Sequence, residues 1–372
     1  MESKRKTERA KQLLLEGVRN PYSIAGLSTR EGELLLQLAR SSKLLAHLGS
    51  LVKRRGLTDQ LPEKMVEHLQ AAQVLTDHRK RLALWELNRL WRALLDIDFP
   101  VVVLKGGAYL LKELPLADGR LFSDVDVLVD KDNLQTLERM LIEQGWCAAK
   151  LDEYDQRYYR RWMHEIPPLR HRERSIEVDI HHTILPLTSR LRPDGALLMK
   201  NSVESGKYRF RVLAPCDMLL HSAVHLFYNA ELNEGDLRDL VDQDELIRAF
   251  SEEDPEFWSK LVERAGVLQL LRPLYYTLHF SQQLLATPVP DEVWPMLVEG
   301  KPPALICWLM DILIPLAVLP EHPNYPRRKV GIARWLLYVR SHYLRMPMYL
   351  LIPHLFRKSG KRFGFKKEET VA

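Results

Sequence analysis

The sequence predicts an α/β fold of the α+β kind, with a mixed sheet core over residues 97–214 and helical regions before and after it. Three observations predict it. Apolar and acidic residues alternate through Ser-Asp-Val-Asp-Val-Leu-Val-Asp (123–130) and through Ser-Ile-Glu-Val-Asp-Ile-His-His (175–182), the period-2 pattern of strands with one buried face. Phe-Pro-Val-Val-Val-Leu (99–104) has the apolar, β-branched character of a fully buried strand. On both flanks leucines recur at three- and four-residue spacing with few β-branched neighbours, which is helical.

Residues 1–96 form the first helical region. The leucine periodicity runs through 31–48 and 64–96, and Gly49 stands where a helix C-terminus is often closed. In the core, the strand 99–104 leads into Lys105-Gly106-Gly107 and a short amphipathic helix over 108–114. The strand 123–129 comes next, then a helix over 133–144 that Asp130 and Asp132 lead into and Gly145 closes. A strand over 146–151, a hairpin turned by Arg-His-Arg-Glu-Arg (170–174) into the strand of Asp179, and a last strand over 208–213 complete the core. Residues 215–322, starting at Pro215, form a helical domain, and 323–372 a basic, aromatic C-terminal tail. The apolar run 304–319 is short and interrupted by Asp311 and Pro315. It is expected as a buried, kinked helix, not a bilayer span.

Composition narrows the class. With 46% hydrophobic and 28% charged residues the chain can bury a large core and is not a disordered one. Cys147, Cys216 and Cys307 are few, odd in number and far apart, which argues against a disulfide framework and against a zinc site. The polar N-terminus has no secretion-signal pattern, so a cytoplasmic protein is expected. Charge is uneven: 12 of the 54 Lys and Arg lie between Pro323 and Lys367, where no Asp or Glu occurs, so the rest of the chain is net acidic. The same stretch carries Trp335, Tyr338, Tyr343, Tyr349 and Phe356. For 330–344 packing on the core is expected. For 346–365 the expectation is contact with the inner membrane surface or a partner, since basic and aromatic residues with leucine suit an anionic lipid surface.

The chemistry concentrates in the core. On one face of the strand 123–129, Asp124 and Asp126 sit about 7 Å apart along the chain, and they repel unless a cation lies between them. Such a pair suits Mg²⁺ whose shell phosphates complete. The Gly106-Gly107 turn before a helix N-terminus makes an anion site, and Lys105 adds a point charge against a triphosphate. Asp179, alternating with Val178 and Ile180, is placed to share the metal and take a proton from an attacking hydroxyl; Glu177 is the alternative third acid. Arg120 either binds phosphate or pairs with one of the aspartates. His181 and His182 imply no metal ligation by themselves. His221 and His225, at i and i+4, are expected to pack, with hydrogen-bond partners such as Asp239 or Asp242.

These residues carry a resemblance. The order Gly-Gly, Asp-x-Asp and a strand acid is similar to the nucleotidyltransferase superfamily that includes DNA polymerase beta and the aminoglycoside nucleotidyltransferases. More closely, Leu-Lys-Gly-Gly (104–107), Arg120 with Ser-Asp-Val-Asp-Val-Leu-Val (123–129), and Val-Asp-Ile-His (178–181) resemble a bacterial family of uncharacterised nucleotidyltransferases. The resemblance extends into Asp217-Met-Leu-Leu-His-Ser-Ala-Val-His225 and Leu237-Arg-Asp-Leu-Val-Asp242. It implies a nucleotidyltransferase-type mixed sheet and an Mg²⁺-dependent, two-metal enzyme. Such an enzyme moves an NMP from ATP or another NTP to an acceptor hydroxyl and releases pyrophosphate. It further implies that Asp124, Asp126 and Asp179 are metal ligands and catalytic, and that Lys105, Gly106, Gly107, Arg120 and Ser123 bind nucleotide. Two features depart from the superfamily: 16 residues separate Gly107 from Asp124, and Ser123 rather than glycine precedes the pair. The acceptor, whether saccharide, small molecule or protein, is not encoded in any residue. The competing expectation is a catalytically inactive protein of this fold that docks through its basic tail. Nucleic acid is a third choice, for want of a recognisable RNA-binding module.

Overall fold

The computed structural model describes residues 2–149, 152–228, 232–325, 327–349 and 351–352. Most of 346–365, where membrane or partner contact is expected, therefore lies outside the described residues.

Four helices open the chain: α1 Glu2–Arg19, α2 Thr29–Ser41, α3 Leu45–Arg54 and α4 Glu63–Ala93. The core runs β1 Val102–Val103, α5 Lys105–Leu111, β2 Asp124–Leu128, α6 Leu134–Glu143, β3 Trp146–Ala148, α7 Glu153–Trp162, β4 Leu169–His171, β5 Glu177–His181, α8 Gly195–Asn201, β6 Val203–Glu204 and β7 Arg211–Val212. Helices α9 Pro215–Tyr228, α10 Leu237–Glu253, α11 Phe257–Val267, α12 Leu271–Leu285, α13 Val293–Met296, α14 Ala304–Val318 and α15 Arg328–Arg345 follow. The seven strands form one mixed sheet in the order β3-β4-β5-β2-β1-β7-β6. Its centre is parallel where it matters: β2 lies beside β5 with Asp124 opposite Glu177 and Asp126 opposite Asp179. The buried Val125 and Val127 of β2 and Val178 and Ile180 of β5 are the opposite face of those strands.

Several elements differ from the sequence expectation. Strand 99–104 contracts to two residues of ladder, and helix 108–114 begins earlier, at Lys105, so Gly106 and Gly107 lie in its first turn. The packing explains both glycines. A Cβ on Gly107 would meet Val103 Cγ1 at 2.6 Å, and one on Gly106 would meet the Phe122 ring at 3.1 Å. The stretch 31–48 is two helices, broken where Lys43 takes φ +56°. Gly49 is inside α3, not at a helix end, because a Cβ there would press on Leu69 O and Gln73 of α4 at 3.2 Å.

Helix α4, 31 residues long, packs on α3, α5, β2 and α6. Its buried Glu86 accepts from Trp146 Nε1 at 2.8 Å and from Arg174 Nε at 2.5 Å. A fully buried carboxylate is tolerable only when so paired. On the other side, the buried carboxylate of Asp217 in α9 accepts from Arg264 Nε at 2.6 Å and Asn201 Nδ2 at 2.8 Å, bolting α9 to α11 and to the end of α8. Helix α14 is not buried as expected. Met310, Ile314 and Ala317 face inward, yet Trp308 is 59% exposed, and Trp335 on the neighbouring α15 is 62% exposed. Of the 330–344 stretch, Val330, Ala333 and Leu337 pack inward and Ile332, Trp335 and Val339 point out. No helix among the described residues is long and apolar enough to cross a membrane.

Candidate active site

Register decides which side chains meet. Adjacent parallel strands lie about 4.8 Å apart and residues opposite each other point the same way, so Asp124, Asp126, Glu177, Asp179 and His181 share one face. Asp126 is the best-held member. Its Oδ1 accepts from Lys105 Nζ at 2.7 Å and from His181 Nε2 at 3.0 Å; a carboxylate cannot donate, so the imidazole must. Burial pushes the Asp126 carboxyl up, but Lys105 and His181 together outweigh it and hold it well below the carboxylate range. Neither contact uses Oδ2. Lys105 thus does not project free toward solvent; a backbone φ of +44° at the helix start aims it at Asp126, and Asp126 keeps it charged against the penalty of its burial.

Asp124 and Asp179 lack such partners. Burial, then the neighbouring Asp126, raises both, and Asp179 is pushed up to about 7. Asp179 Oδ1 is buried without a hydrogen-bond partner. An unpaired buried carboxylate oxygen is costly, and the neighbouring Asp126 adds a repulsion that a cation would relieve. Ser123 hydrogen-bonds Asp124 and moderates its shift. Glu177, at the strand's mouth, is exposed.

Arg120 pairs with neither strand aspartate. Its guanidinium meets Asp242 and lies 3.8 Å from Asp239, both on α10, over the face of Tyr109 at 5.6 Å. The long connection from Gly107 to Asp124 is anchored by the same helix. Arg238 donates to Gly119 O and Leu116 O, both at 3.0 Å, and its Nε to Asp242 Oδ1 at 2.7 Å. Gly119, at φ +84°, comes so close to Ala46 O that a Cβ would be 2.7 Å away. The 16 intervening residues are therefore a packed strap, and the 237–242 motif is what fastens it. His225 lies 3.4 Å from Asp239, as expected, while His221 is buried and held neutral by that burial.

Three further residues complete the site. Glu165 and His164 come from the loop after α7, which pairs with the end of β5: Ile166 N donates to Ile180 O at 3.0 Å and His182 N to His164 O at 2.9 Å. Arg345 arrives from the last turn of α15. A shallow cleft is lined by Lys105, His164, His221, His225, Tyr228 and Arg345. Helix α15 is tied down beside it, with Thr188 Oγ1 donating to Arg345 O at 2.7 Å and Arg190 N to Leu344 O at 2.9 Å. No periodic signal marks a lone loop acid, and Arg345 reads in sequence as one of many tail cations. Chemically, the arrangement sets the carboxylate cluster beside this cleft, joined to it through Lys105 and His164, and the cleft walls mix cationic and imidazole side chains with Ile184, Leu185, Pro186 and Val224.

A model of the family described as an uncharacterised nucleotidyltransferase matches residues 28–286. No curated protein and no solved structure matches the chain.

Proposed function

The chain belongs to the uncharacterised nucleotidyltransferase family, and on that premise we propose that it transfers an NMP from an NTP to an acceptor hydroxyl, with Mg²⁺ held by Asp124, Asp126 and Asp179. The observation that carries this reading is the orphaned, buried Asp179 Oδ1 beside Asp126, whose contacts to Lys105 and His181 both fall on Oδ1. Those donors are hard oxygens, the set Mg²⁺ prefers. When bound, the ion supplies charge neutralisation for the phosphates and the departing pyrophosphate.

The chain's own residues do the rest. Lys105 and Arg345 face the cleft and draw in the polyphosphate. Gly106 and Gly107 seat the first turn of α5 against Phe122 and Val103 and so set Lys105 at the cleft; Arg120 holds the strap through α10 and so fixes the entrance rather than competing for phosphate. Asp179 receives the proton as the acceptor oxygen attacks the α-phosphorus and the bond to pyrophosphate breaks. Holding these groups in line supplies most of the acceleration.

The bond that breaks can be read directly. NTPs labelled at the α- or the γ-phosphate are incubated with protein, Mg²⁺ and fractionated candidate acceptors. The α-label should enter the acceptor while the γ-label leaves as pyrophosphate; γ-label in the acceptor would contradict nucleotidyl transfer. Asp179→Asn should slow the transfer by about 100-fold or more.

One observation favours a second property, peripheral contact with an anionic membrane. The α14–α15 pair exposes Trp308, Ile312, Ile332 and Trp335, the last two inside the acid-free basic segment 323–367. The acceptor would then be presented at the lipid surface.

A further inference from the structure

Beside the carboxylate cluster we infer a second metal site, in which His164, Glu165 and His181 bind one divalent transition ion of borderline softness, of the Zn²⁺ class. The three side chains offer ligand atoms that all lie within 4.8 Å of one another. His181 Nδ1 is 3.4 Å and His164 Nε2 3.7 Å from the same Glu165 Oε2. Tetrahedral zinc with bonds of about 2.0–2.1 Å places its ligands roughly 3.3–3.4 Å apart, so the two contacts to Glu165 need shifts of a few tenths of an ångström and the two imidazoles must close by about 1.4 Å at most.

The backbone has already placed the ligands. Glu165 and His181 form an antiparallel bridge, flanked by the Ile166–Ile180 and His182–His164 hydrogen bonds. The tautomer is placed as well. Because His181 Nε2 donates to Asp126, a neutral ring carries its lone pair on Nδ1, and that atom is buried without a hydrogen-bond partner. A carboxylate holding one imidazole nitrogen while the other faces a metal is a common support for zinc-binding histidines. The competing account makes His181 an imidazolium bridging Asp126 and Glu165. That fits less well, since a charge-assisted N–H···O contact closes to about 2.7–2.9 Å and the Glu165 contact stands at 3.4 Å.

His164 also lines the cleft, the side from which water or a ligand completes the shell. Cysteine is not needed, so the scarcity that argued against zinc does not bear on these ligands. The i, i+4 pair His221 and His225 is a poorer choice, since His225 is turned to Asp239. An ion here fixes the His181 ring and, through its Nε2–H, the orientation of Asp126. The binding itself is independent of nucleotidyl transfer.

The test uses the full chain, stripped with chelator and titrated with Zn²⁺ alone by calorimetry. One equivalent should bind. His164→Gln and Glu165→Gln should each weaken it by at least about tenfold, and His225→Gln should leave it unchanged. Zinc-edge X-ray absorption on the loaded wild type needs no variant and should show scattering from two imidazoles. Absence of saturable zinc binding, imidazole-free absorption, or binding that survives Glu165→Gln and falls in His225→Gln would each overturn the site. No nucleotide is present in any arm, so a negative result leaves the nucleotidyl-transfer reading standing.

Discussion

Lys105 and Arg345 reach the same cleft from distant parts of the chain, and they differ in what holds them. Lys105 is bound to Asp126, so part of its charge is already spoken for. Arg345 is largely buried, which lowers its pKa, and Glu165 is the carboxylate that acts against that burial. An anion entering the cleft gains most from Arg345. Arg345→Met should therefore raise the KM for nucleotide by about tenfold or more with a smaller effect on kcat; an unchanged KM contradicts the assignment. Gly107 makes a different prediction. Alanine is a better helix former than glycine, yet its methyl would sit 2.6 Å from Val103 Cγ1. Gly107→Ala should cost about 1–3 kcal/mol through overpacking, read as a lower urea midpoint; a stabilised variant would show that the strand yields.

At the scale of elements, helix α3 carries a testable pH dependence. His47 is buried against α10, and burial, followed by Arg238 and Arg54, holds its pKa well below 6.5. The folded chain then binds fewer protons than the unfolded one. Its contribution is fully present above the unfolded pKa and is lost as pH falls below about 6.5, by up to about 1.4 kcal/mol per pH unit. Urea unfolding between about pH 7.5 and 5 should show a smaller loss in His47→Gln than in wild type; equal losses would remove His47 from the account. The same scale shows what sequence patterns convey. Strands β2 and β5 were legible because alternation of Val and Ile with Asp and Glu is local, and their carboxylates share a face as that pattern predicts. The parallel pairing that sets Asp126 against Asp179 is not local and had to come from the fold. Helix 108–114 was misplaced because two glycines read as a turn, when they are there for close packing.

The whole molecule joins parts that sequence divides. The C-terminal segment read as a tail contributes α15, which docks on 188–190 and delivers Arg345, outside the residues that the family model covers. Glu165 and Arg345 escaped the sequence because a single charge in a loop or a basic run has no pattern until the fold supplies its neighbours. The outward apolar residues of α14 and α15 escaped because their periodicity suits burial equally well. If that face meets lipid, the full chain should cosediment with vesicles containing anionic phospholipid and not with zwitterionic ones. Trp308→Ser/Trp335→Ser should release it; equal binding of the double variant would contradict this. The central claim is an NTP site built on the Asp124, Asp126 and Asp179 carboxylates. It is tested most directly by calorimetric titration of wild type and Asp124→Asn/Asp126→Asn with ATP, GTP, CTP and UTP, with and without Mg²⁺. The account predicts Mg²⁺-dependent binding of at least one nucleotide by the wild type and its loss in the double variant. Equal binding by both proteins, or none by the wild type, would contradict it.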